Sequence, residues 1–357
     1  MHINDILRKM VEKNASDLHL KPGSPPTFRI NGIYEDSDFP TLSSAQVREL
    51  INQMTNDEQR QRFDEEKELD FAYSVPDLAR FRVNVFLQNG NLASVLRVIP
   101  LRVLTIDELG LPPILKTLAE KPRGLIIVAG PTGSGKSTTI AAMIDHINST
   151  RRCHIITIED PIEFVHKDKM AIVDQREVGR DTLSFHNALK RVLRQDPNVI
   201  VIGEMRDLET ISTAITAAET GHLVFATLHT GTAAQTIDRI VDVFPVGQQQ
   251  QIRSQLSLAI EGVLCQILLP RIDNKGRVAA LEIMTATGAI RNLIRENELA
   301  QIPSTILTSR AEGMQTLDTA LKDLVDKGII SYDVAIAKAV NPESLKRTFL
   351  EDTRKKK

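Results

Sequence analysis

The chain has 357 residues, 42% of them hydrophobic and 25% charged, and its formal net charge is −2 at pH 7. This length and composition predict about two to three globular domains, and the near-neutral charge argues against a surface that attracts nucleic acid as a whole. The two cysteines, Cys153 and Cys265, form no C-x-x-C pattern. That excludes a disulfide framework and a cysteine zinc site and is typical of a protein in the reducing cytosol.

No segment has the features of an export signal or a membrane span. Residues 1–9 lack a basic stretch followed by an apolar core, and no apolar run approaches the ~18 residues that a span needs. We therefore expect a cytoplasmic protein without direct membrane insertion, whose contact with a membrane runs through a partner.

The first 100 residues predict an α+β domain without a chemical motif of its own. Segments 79–86 and 93–99 alternate polar and apolar residues, as central antiparallel strands do. Asn31-Gly32 predicts a type I′ hairpin turn, and Ser44 and Asn56 are candidate helix caps. The predicted helices are 3–13, 43–52 and 56–66, and the other predicted β segments are 15–20, 27–34 and 69–75.

A boundary is marked by four prolines, Pro100, Pro112, Pro113 and Pro122, and the pattern of predicted strands and helices changes after it. Short apolar strands now alternate with helices, the pattern of a largely parallel sheet covered by helices. The predicted strands are 125–129, 154–158, 171–175, 199–202 and 223–227, and the predicted helices are 137–148, 185–194, 208–219 and 233–243. A long helix over 248–268, a β pair over 277–284 and a mostly helical stretch over 289–348 complete the prediction.

These changes of pattern predict four parts of the chain. They are an N-terminal α+β domain (1–100), a linker (101–122), an α/β core (123–288) and a helical C-terminal region with a basic tail (289–357).

The segment 124–137 carries the strongest motif. Residues 125–129 predict a buried strand, and Gly130 to Ser137 fit G-x-x-x-x-G-K-S. The glycines allow a tight turn that points backbone N–H groups at a phosphate, and the following helix presents its positive end to the same anion. We therefore expect a nucleoside triphosphate site on a RecA-like core. Its predicted binding residues are Pro131, Thr132, Gly133, Ser134, Gly135, Lys136, Ser137 and Thr138, with Lys136 on the β- and γ-phosphates and Ser137 on Mg²⁺.

Hydrolysis also needs acidic groups near the phosphates. The strand 154–158 ends in Glu159-Asp-Pro-Ile-Glu163, three carboxylates in five residues. Ligands of open α/β sheets lie at the carboxyl ends of the strands, and we expect this strand to neighbour the P-loop strand. The acidic loop is therefore a candidate part of the site.

Two later strands end in polar residues of the same kind. The apolar strand 199–202 is followed by Gly203-Glu204, a Walker-B pattern with glutamate where aspartate is more usual, so Glu204 is the candidate acid on the Mg²⁺ side. His229 follows the strand 223–227 and is a candidate contact of the γ-phosphate. His222 opens that strand, at the wrong end for the site unless the loop folds back.

Together these motifs resemble the secretion-ATPase superfamily, which drives type II secretion and type IV pili. The superfamily has, in this order, a Walker A, an acidic box, a Walker B ending in glutamate and a histidine box, here at 130–137, 157–163, 199–204 and 220–229. Within it, the segment 289–296 resembles a feature of the pilus retraction ATPases.

The resemblance implies a fold and a function. It implies a smaller PAS-like N-terminal α+β domain before the RecA-like P-loop core, and a ring-shaped homohexamer that hydrolyses ATP with Mg²⁺. The work would retract type IV pili, the basis of twitching motility, through a platform protein of the inner membrane. It further implies Glu163 as the catalytic glutamate, Glu204 as the metal-side acid, and Arg82 and Arg97 as arginines acting on the phosphates.

Three other readings compete with this one. A pilus extension or type II secretion ATPase usually has a longer N-terminal region and a four-cysteine zinc insert, and this chain has neither. A RecA-like nucleic-acid motor is disfavoured by the net charge and by the 4% of aromatic residues. A regulator built on an inactive P-loop is disfavoured because Lys136, Ser137, Glu163 and Glu204 are all present.

Overall fold

A computed structural model describes residues 1–30, 32–76, 78–99 and 102–355, with side chains to residue 351. The chain divides into two units, Met1–Arg102 and Val103–Lys357. The turn predicted at Asn31-Gly32 and the proline at position 100 involve residues outside the described part. Each of the three helices of the first unit begins after a residue whose side chain caps it.

The first unit is a six-stranded antiparallel sheet with three helices. Its elements are α1 (Ile3–Glu12), β1 (Asp17–Leu20), β2 (Thr27–Ile30), β3 (Ile33–Asp36), α2 (Ser44–Asn52), α3 (Asp57–Glu66), β4 (Glu68–Val75), β5 (Ala79–Gln88) and β6 (Asn91–Ile99). The strand order is β3-β2-β1-β6-β5-β4. Asn56 caps α3 as predicted, but the predicted cap Ser44 is wrong: Ser43 caps α2 and forms a capping box with Gln46.

Alternation along β5 separates the two faces of this sheet. Phe81 and Val83 are fully buried with apolar residues of α1 and α2, whereas Arg82 is exposed. Arg82 lies directly opposite Arg97 of β6, and Arg97 lies opposite Asp17 of β1. Asp17 is buried and accepts a hydrogen bond from Arg97 Nε at 2.8 Å, while Arg29 of β2 approaches it to 3.8 Å. The open face therefore carries a row of arginines, two of which lie beside the carboxylate of Asp17.

The second unit is built on a seven-stranded sheet. Its strands are β7 (Gly124–Ala129), β8 (His154–Glu159), β9 (Ile172–Glu177), β10 (Val199–Ile202), β11 (Leu223–Leu228), β12 (Ile260–Pro270) and β13 (Arg277–Thr285). The order is β13-β12-β7-β11-β10-β8-β9. All neighbours are parallel except the pair of β12 and β13.

Helices cover both faces of this sheet, which explains its uninterrupted apolar strands. On β7, Ile126 and Val128 pack with α5, and Leu125 and Ile127 pack on the opposite face. The segment 103–122, expected as a linker, contributes buried Ile106 and further apolar side chains of this unit's core. The helices are α4 (Ile114–Ala119), α5 (Lys136–Thr150), α6 (Phe185–Val192), α7 (Leu208–Glu219), α8 (Ala233–Asp242), α9 (Val246–Ala259), α10 (Gly288–Arg295), α11 (Ile302–Thr308), α12 (Leu317–Asp326), α13 (Tyr332–Lys338) and α14 (Pro342–Lys355).

Two predictions for this unit are wrong. The long helix over 248–268 ends at Ala259, and β12 continues from there, because its apolar residues are buried in the sheet next to β7. The strand β8 does not neighbour the P-loop strand, since β11 and β10 lie between them. Three strand spacings place β7 and β8 about 14 Å apart.

The edge strand β9 has polar caps on its outward N–H groups. Asp168 accepts the N–H of Val173, and Asp181 accepts the N–H of Glu177. Such caps remove donors that an edge strand otherwise offers to another strand. In the part of the chain that the structure describes, no helix is long and apolar enough to cross a bilayer.

Candidate functional site

The carboxyl ends of four parallel strands gather most of the predicted site residues. The P-loop follows β7, and His229 follows the neighbouring strand β11. Glu204 follows β10, and Glu159 ends β8 beside Gly203, whose N–H donates to the carbonyl of Ile158 at 2.8 Å. Sheet order therefore brings together motifs that lie up to 100 residues apart in the chain.

The P-loop takes a shape that only glycine permits at two positions. Gly130 and Gly135 have φ values of +143° and +88°. A Cβ on Gly130 would lie 2.3 Å from the carbonyl oxygen of Gln266, and a Cβ on Gly135 would lie 2.8 Å from the Gln266 amide nitrogen. Both positions therefore favour glycine for two reasons: a Cβ would lie too close to β12, and the backbone has a positive φ.

Gln266 also ties the loop to the helix behind it. This side chain, 2% exposed, donates from Nε2 to the carbonyl of Ser134 at 2.7 Å and accepts from the hydroxyl of Thr139 at 2.7 Å. One amide thus satisfies a loop carbonyl and a helix hydroxyl at once. The conformation of the P-loop is therefore held by a residue of another strand, β12.

The loop has the features of an anion cradle at the start of α5. Its tip, Pro131 to Gly133, is exposed, and Ser137 and Thr138 lie in the first turn of the helix, where the helix dipole favours an anion. Lys136 Nζ donates to the carbonyls of Gly130 and Pro131 at 2.8 and 3.1 Å. Burial lowers the pKa of Lys136, while the negative charges of Glu204 and Glu163 oppose that shift.

Glu204 lies between the Arg206 guanidinium and the His229 imidazole. Its carboxylate accepts from Arg206 Nη2 at 2.7 Å and lies 3.3 Å from His229 Nε2. The hydrogen bond from Arg206 lowers the pKa of Glu204. The main chain at this point is fixed by Thr227, whose hydroxyl donates to the carbonyl of Gly203. Glu204 and His229 are thus brought together beside the P-loop.

The acidic loop after β8 reaches toward the P-loop although its strand does not neighbour β7. Glu163 is exposed, and its charge acts on Lys136. Asp160 acts electrostatically on Arg206, and its peptide bond to Pro161 is cis. Glu159 turns inward instead and accepts from the Thr157 hydroxyl at 2.6 Å, and burial raises its pKa.

A small cavity of about 50 Å³ lies between α5 and this acidic loop. Burial lowers the pKa of His166, one of its lining residues, to about 4, and the Nδ1 of that ring is buried with no hydrogen-bond partner among the described residues. The imidazole is therefore neutral at physiological pH. Other lining residues are Ser137, Thr157, Glu159, Phe164 and Gly203.

Within the second unit, one predicted candidate lies apart from this cluster. His222 precedes β11 at the opposite edge of the sheet, where its Nδ1 is 2.9 Å from the carbonyl of Ala217. A six-residue strand separates it from the P-loop edge by about 20 Å. Arg82 and Arg97 belong to the first unit, on the open face of its sheet.

The helix α10, which covers most of the segment 289–296, is partly engaged in packing. Arg291 donates to the carbonyls of Ser257 and Leu258 at the end of α9 and to Glu261 at 2.6 Å. Asn292 and Arg295 are exposed. Of the polar residues of this segment, Arg291 therefore has a structural role that its sequence position does not indicate.

Sequence reasoning missed three functional side chains, Gln266, Arg206 and Gln175. Gln266 lies more than 125 residues from its partners, as the sequence separations 127 and 132 show, so no local pattern marks it. Arg206 stands two residues after Glu204, and that spacing could have indicated it. Gln175 lies 16 residues from Glu159, to which it donates at 3.1 Å.

Known proteins resemble the chain over almost its whole length. The family described as type II/IV secretion system protein matches residues 1–338. The type IV pilus retraction ATPase PilT of Pseudomonas aeruginosa is 54% identical over 344 residues, which are 96% of this chain and 100% of that protein. A twitching motility protein of Neisseria gonorrhoeae is 51% identical over 320 residues, which cover 90% of this chain and 86% of that protein.

Among solved structures, the crystal structure of the pilus retraction motor PilT with bound ADP superposes with a TM-score of 0.92. The two chains are 48% identical, and the superposition covers 97% of this chain and 99% of the other.

Replacing Gln266 by leucine should weaken nucleotide binding. The substitution leaves the Ser134 carbonyl and the Thr139 hydroxyl without their partner, so we expect about tenfold weaker binding of a fluorescent ADP analogue, the equivalent of about one buried hydrogen bond. Gln248→Leu, at an exposed position of α9, is the matched control. Equal affinity in both variants would show that Gln266 does not shape the loop.

His166 should make the stability of the second unit depend on pH. Its folded pKa of about 4 lies below the ordinary value of 6.5, so only the unfolded state takes up the proton between these values. Stability is then lost as the pH falls from about 6.5 to about 4, by up to about 3 kcal/mol. Plotted against pH, the melting temperatures of the wild type and of His166→Asn should diverge in this window and run parallel above it. Parallel curves throughout would contradict the assignment.

Proposed function

We propose that this chain, which belongs to the family of type II/IV secretion system proteins, hydrolyses ATP to power the retraction of type IV pili. The family match and the superposition confirm the secretion-ATPase family and the fold class expected from the motifs. The observation that carries the proposal is the likeness to a retraction ATPase over nearly the full length of both chains. The geometry of the site supplies the chemical argument.

The P-loop would bind the phosphates of ATP. Its backbone N–H groups, the helix dipole of α5 and the Lys136 ammonium are the positive groups that a triphosphate requires. Lys136 now donates to two loop carbonyls, and we infer that it exchanges these for phosphate oxygens on binding. Thr138 and the exposed tip residues would complete the contacts.

The donor set beside the loop fits Mg²⁺. This ion is usually held by one or two protein oxygens together with phosphate oxygens and water, and the Ser137 hydroxyl and the Glu204 carboxylate are hard oxygen donors of that kind. Bound Mg²⁺ would neutralise charge on the phosphates. The hydrogen bond from Arg206 lowers the pKa of Glu204, and His229 also favours its charged form.

Glu163 would orient the attacking water and accept its proton. It is exposed, and its charge acts on Lys136, which marks the phosphate end of the loop. Its neighbour Glu159 is less suited to the role, because it is buried and hydrogen-bonded to Thr157. His229 would contact the γ-phosphate from the strand beside β7.

Arg82 and Arg97 would add positive charge from an N-terminal unit. Their side chains are 49% and 65% exposed, so a phosphate group could reach them. We infer that they act on the triphosphate in a homohexameric ring, where ATP binding and release change the angle between the two units. The ring would work in the cytoplasm on a platform protein of the inner membrane.

Glu163→Gln should abolish turnover and leave nucleotide binding intact. The amide cannot accept a proton from water, so we expect ATP hydrolysis to fall by at least about 100-fold, with unchanged affinity for a fluorescent ADP analogue. Glu312→Gln, an exposed position of the second unit, is the control. Hydrolysis at the wild-type rate would refute the role of Glu163.

The same variant separates retraction from extension in cells. Bacteria carrying Glu163→Gln in place of the wild-type chain should keep surface pili but lose twitching, because assembled pili are no longer withdrawn. Cells without pili would instead indicate an extension motor of the same family.

Arg82→Ala or Arg97→Ala should leave ATP binding largely intact and remove most of the turnover. An arginine that neutralises transition-state charge typically contributes about 10³–10⁵ in rate. Arg62→Ala, on the exposed side of α3 where the arginine pairs with Glu66, controls for loss of a surface charge. Wild-type turnover in both single variants would exclude the arginines from catalysis.

A further inference from the structure

The acidic loop that carries Glu163 is held by side chains of β9. The N–H of Ile162 donates to Glu177 at 3.2 Å. Two further main-chain groups of the loop bind Gln175 of β9. The place of the Glu163 carboxylate therefore depends on how these side chains hold the backbone.

Gln175 is the centre of this arrangement. Its Nε2 donates to the carbonyl of Phe164 at 2.8 Å and to Glu159 Oε1 at 3.1 Å, and its Oε1 accepts from the N–H of His166 at 2.8 Å. Three bonds use both ends of one half-buried amide. A carboxylate could accept from His166 but could not donate to Phe164, and an apolar side chain could do neither.

We propose that Gln175 is a positioning residue for hydrolysis, which fixes Glu163 through the backbone of the residues that follow it, at Phe164 and His166. This rests on the proposed role of Glu163 as the group that activates water. Gln175 itself touches neither Lys136 nor the P-loop in the described contacts, so its effect on the reaction passes through the loop.

The expected size of the effect follows from geometry. A displacement of a catalytic group by about 1 Å can slow a reaction about 100-fold. Loss of Gln175 frees the Phe164 carbonyl and the His166 N–H and removes one of the donors to Glu159. The P-loop is held separately by Gln266, so nucleotide binding should not depend on Gln175.

The first test compares Gln175→Met with wild-type protein of full length. Methionine keeps the approximate size of the side chain and removes all three hydrogen bonds. We expect kcat to fall about 10- to 100-fold, with KM for MgATP, affinity for a fluorescent ADP analogue and melting temperature nearly unchanged. Gln248→Met, the same change at an exposed site of α9, should keep the wild-type kcat.

The second test uses Gln175→Glu and pH. The introduced carboxyl would face Glu159, and two carboxyl groups at hydrogen-bond distance share a proton well above their ordinary pKa. A shared proton restores a donor between the two strands, so the rate relative to wild type should rise as the pH is lowered from about 8 to about 6. The rate of Gln175→Met relative to wild type should not rise.

The double variant with Glu163→Gln completes the test. If Gln175 acts only through Glu163, adding Gln175→Met to Glu163→Gln should slow hydrolysis no further.

Several results would overturn the proposal. An unchanged kcat in Gln175→Met would do so. So would a loss of nucleotide affinity and melting temperature that accompanies the fall in kcat, or losses of rate that are fully additive in the double variant. A normal rate in Glu163→Gln would refute the role of Glu163 and this proposal with it. A slow Glu163→Gln beside a normal Gln175→Met would refute the positioning role alone.

Discussion

The site depends on the close contact between the glycine-rich loop and β12. At Gly130 and Gly135 the distance to Gln266 leaves no space for a side chain, and the Gln266 amide occupies the hydrogen-bonding groups beneath the loop. The loop is therefore shaped by the protein itself. Groups fixed before the ligand arrives spend little energy on reorganisation when charge develops, and this is the main source of electrostatic catalysis in preorganised sites.

The sheet around this contact determines where charged side chains can lie. Helices bury both faces of the strands, so polar side chains are concentrated where the strands end. There, Glu204, Glu163 and Asp160 lie near Lys136 and Arg206, and each carboxylate acts electrostatically on at least one of these two cations. The opposite signs hold a dense group of ionised side chains together without burying them completely.

Sequence predicted the parts of the site better than their arrangement. Short motifs beside apolar strands predict the P-loop and Glu204 as candidates, and the structure places both at one edge of the sheet. The order of the strands is not predicted, and β8 lies two strands further from β7 than expected. Residues 260–268 were assigned to a helix because a short apolar run that is buried in a sheet has no periodicity to distinguish it from a buried helix. Gln266 was missed because its partners are distant in sequence.

The arginine row of the N-terminal unit has a consequence for the energy of that unit. Arg82 and Arg97 face each other in register, and like charges directly opposite across two strands are unfavourable. Among the residues that the structure describes, Asp17 pairs with Arg97 at 2.8 Å and Asp70 with Arg82 at 3.8 Å. Folding thus leaves a local electrostatic frustration on an open surface. A negative charge brought to this row would weaken the repulsion between the two guanidinium groups.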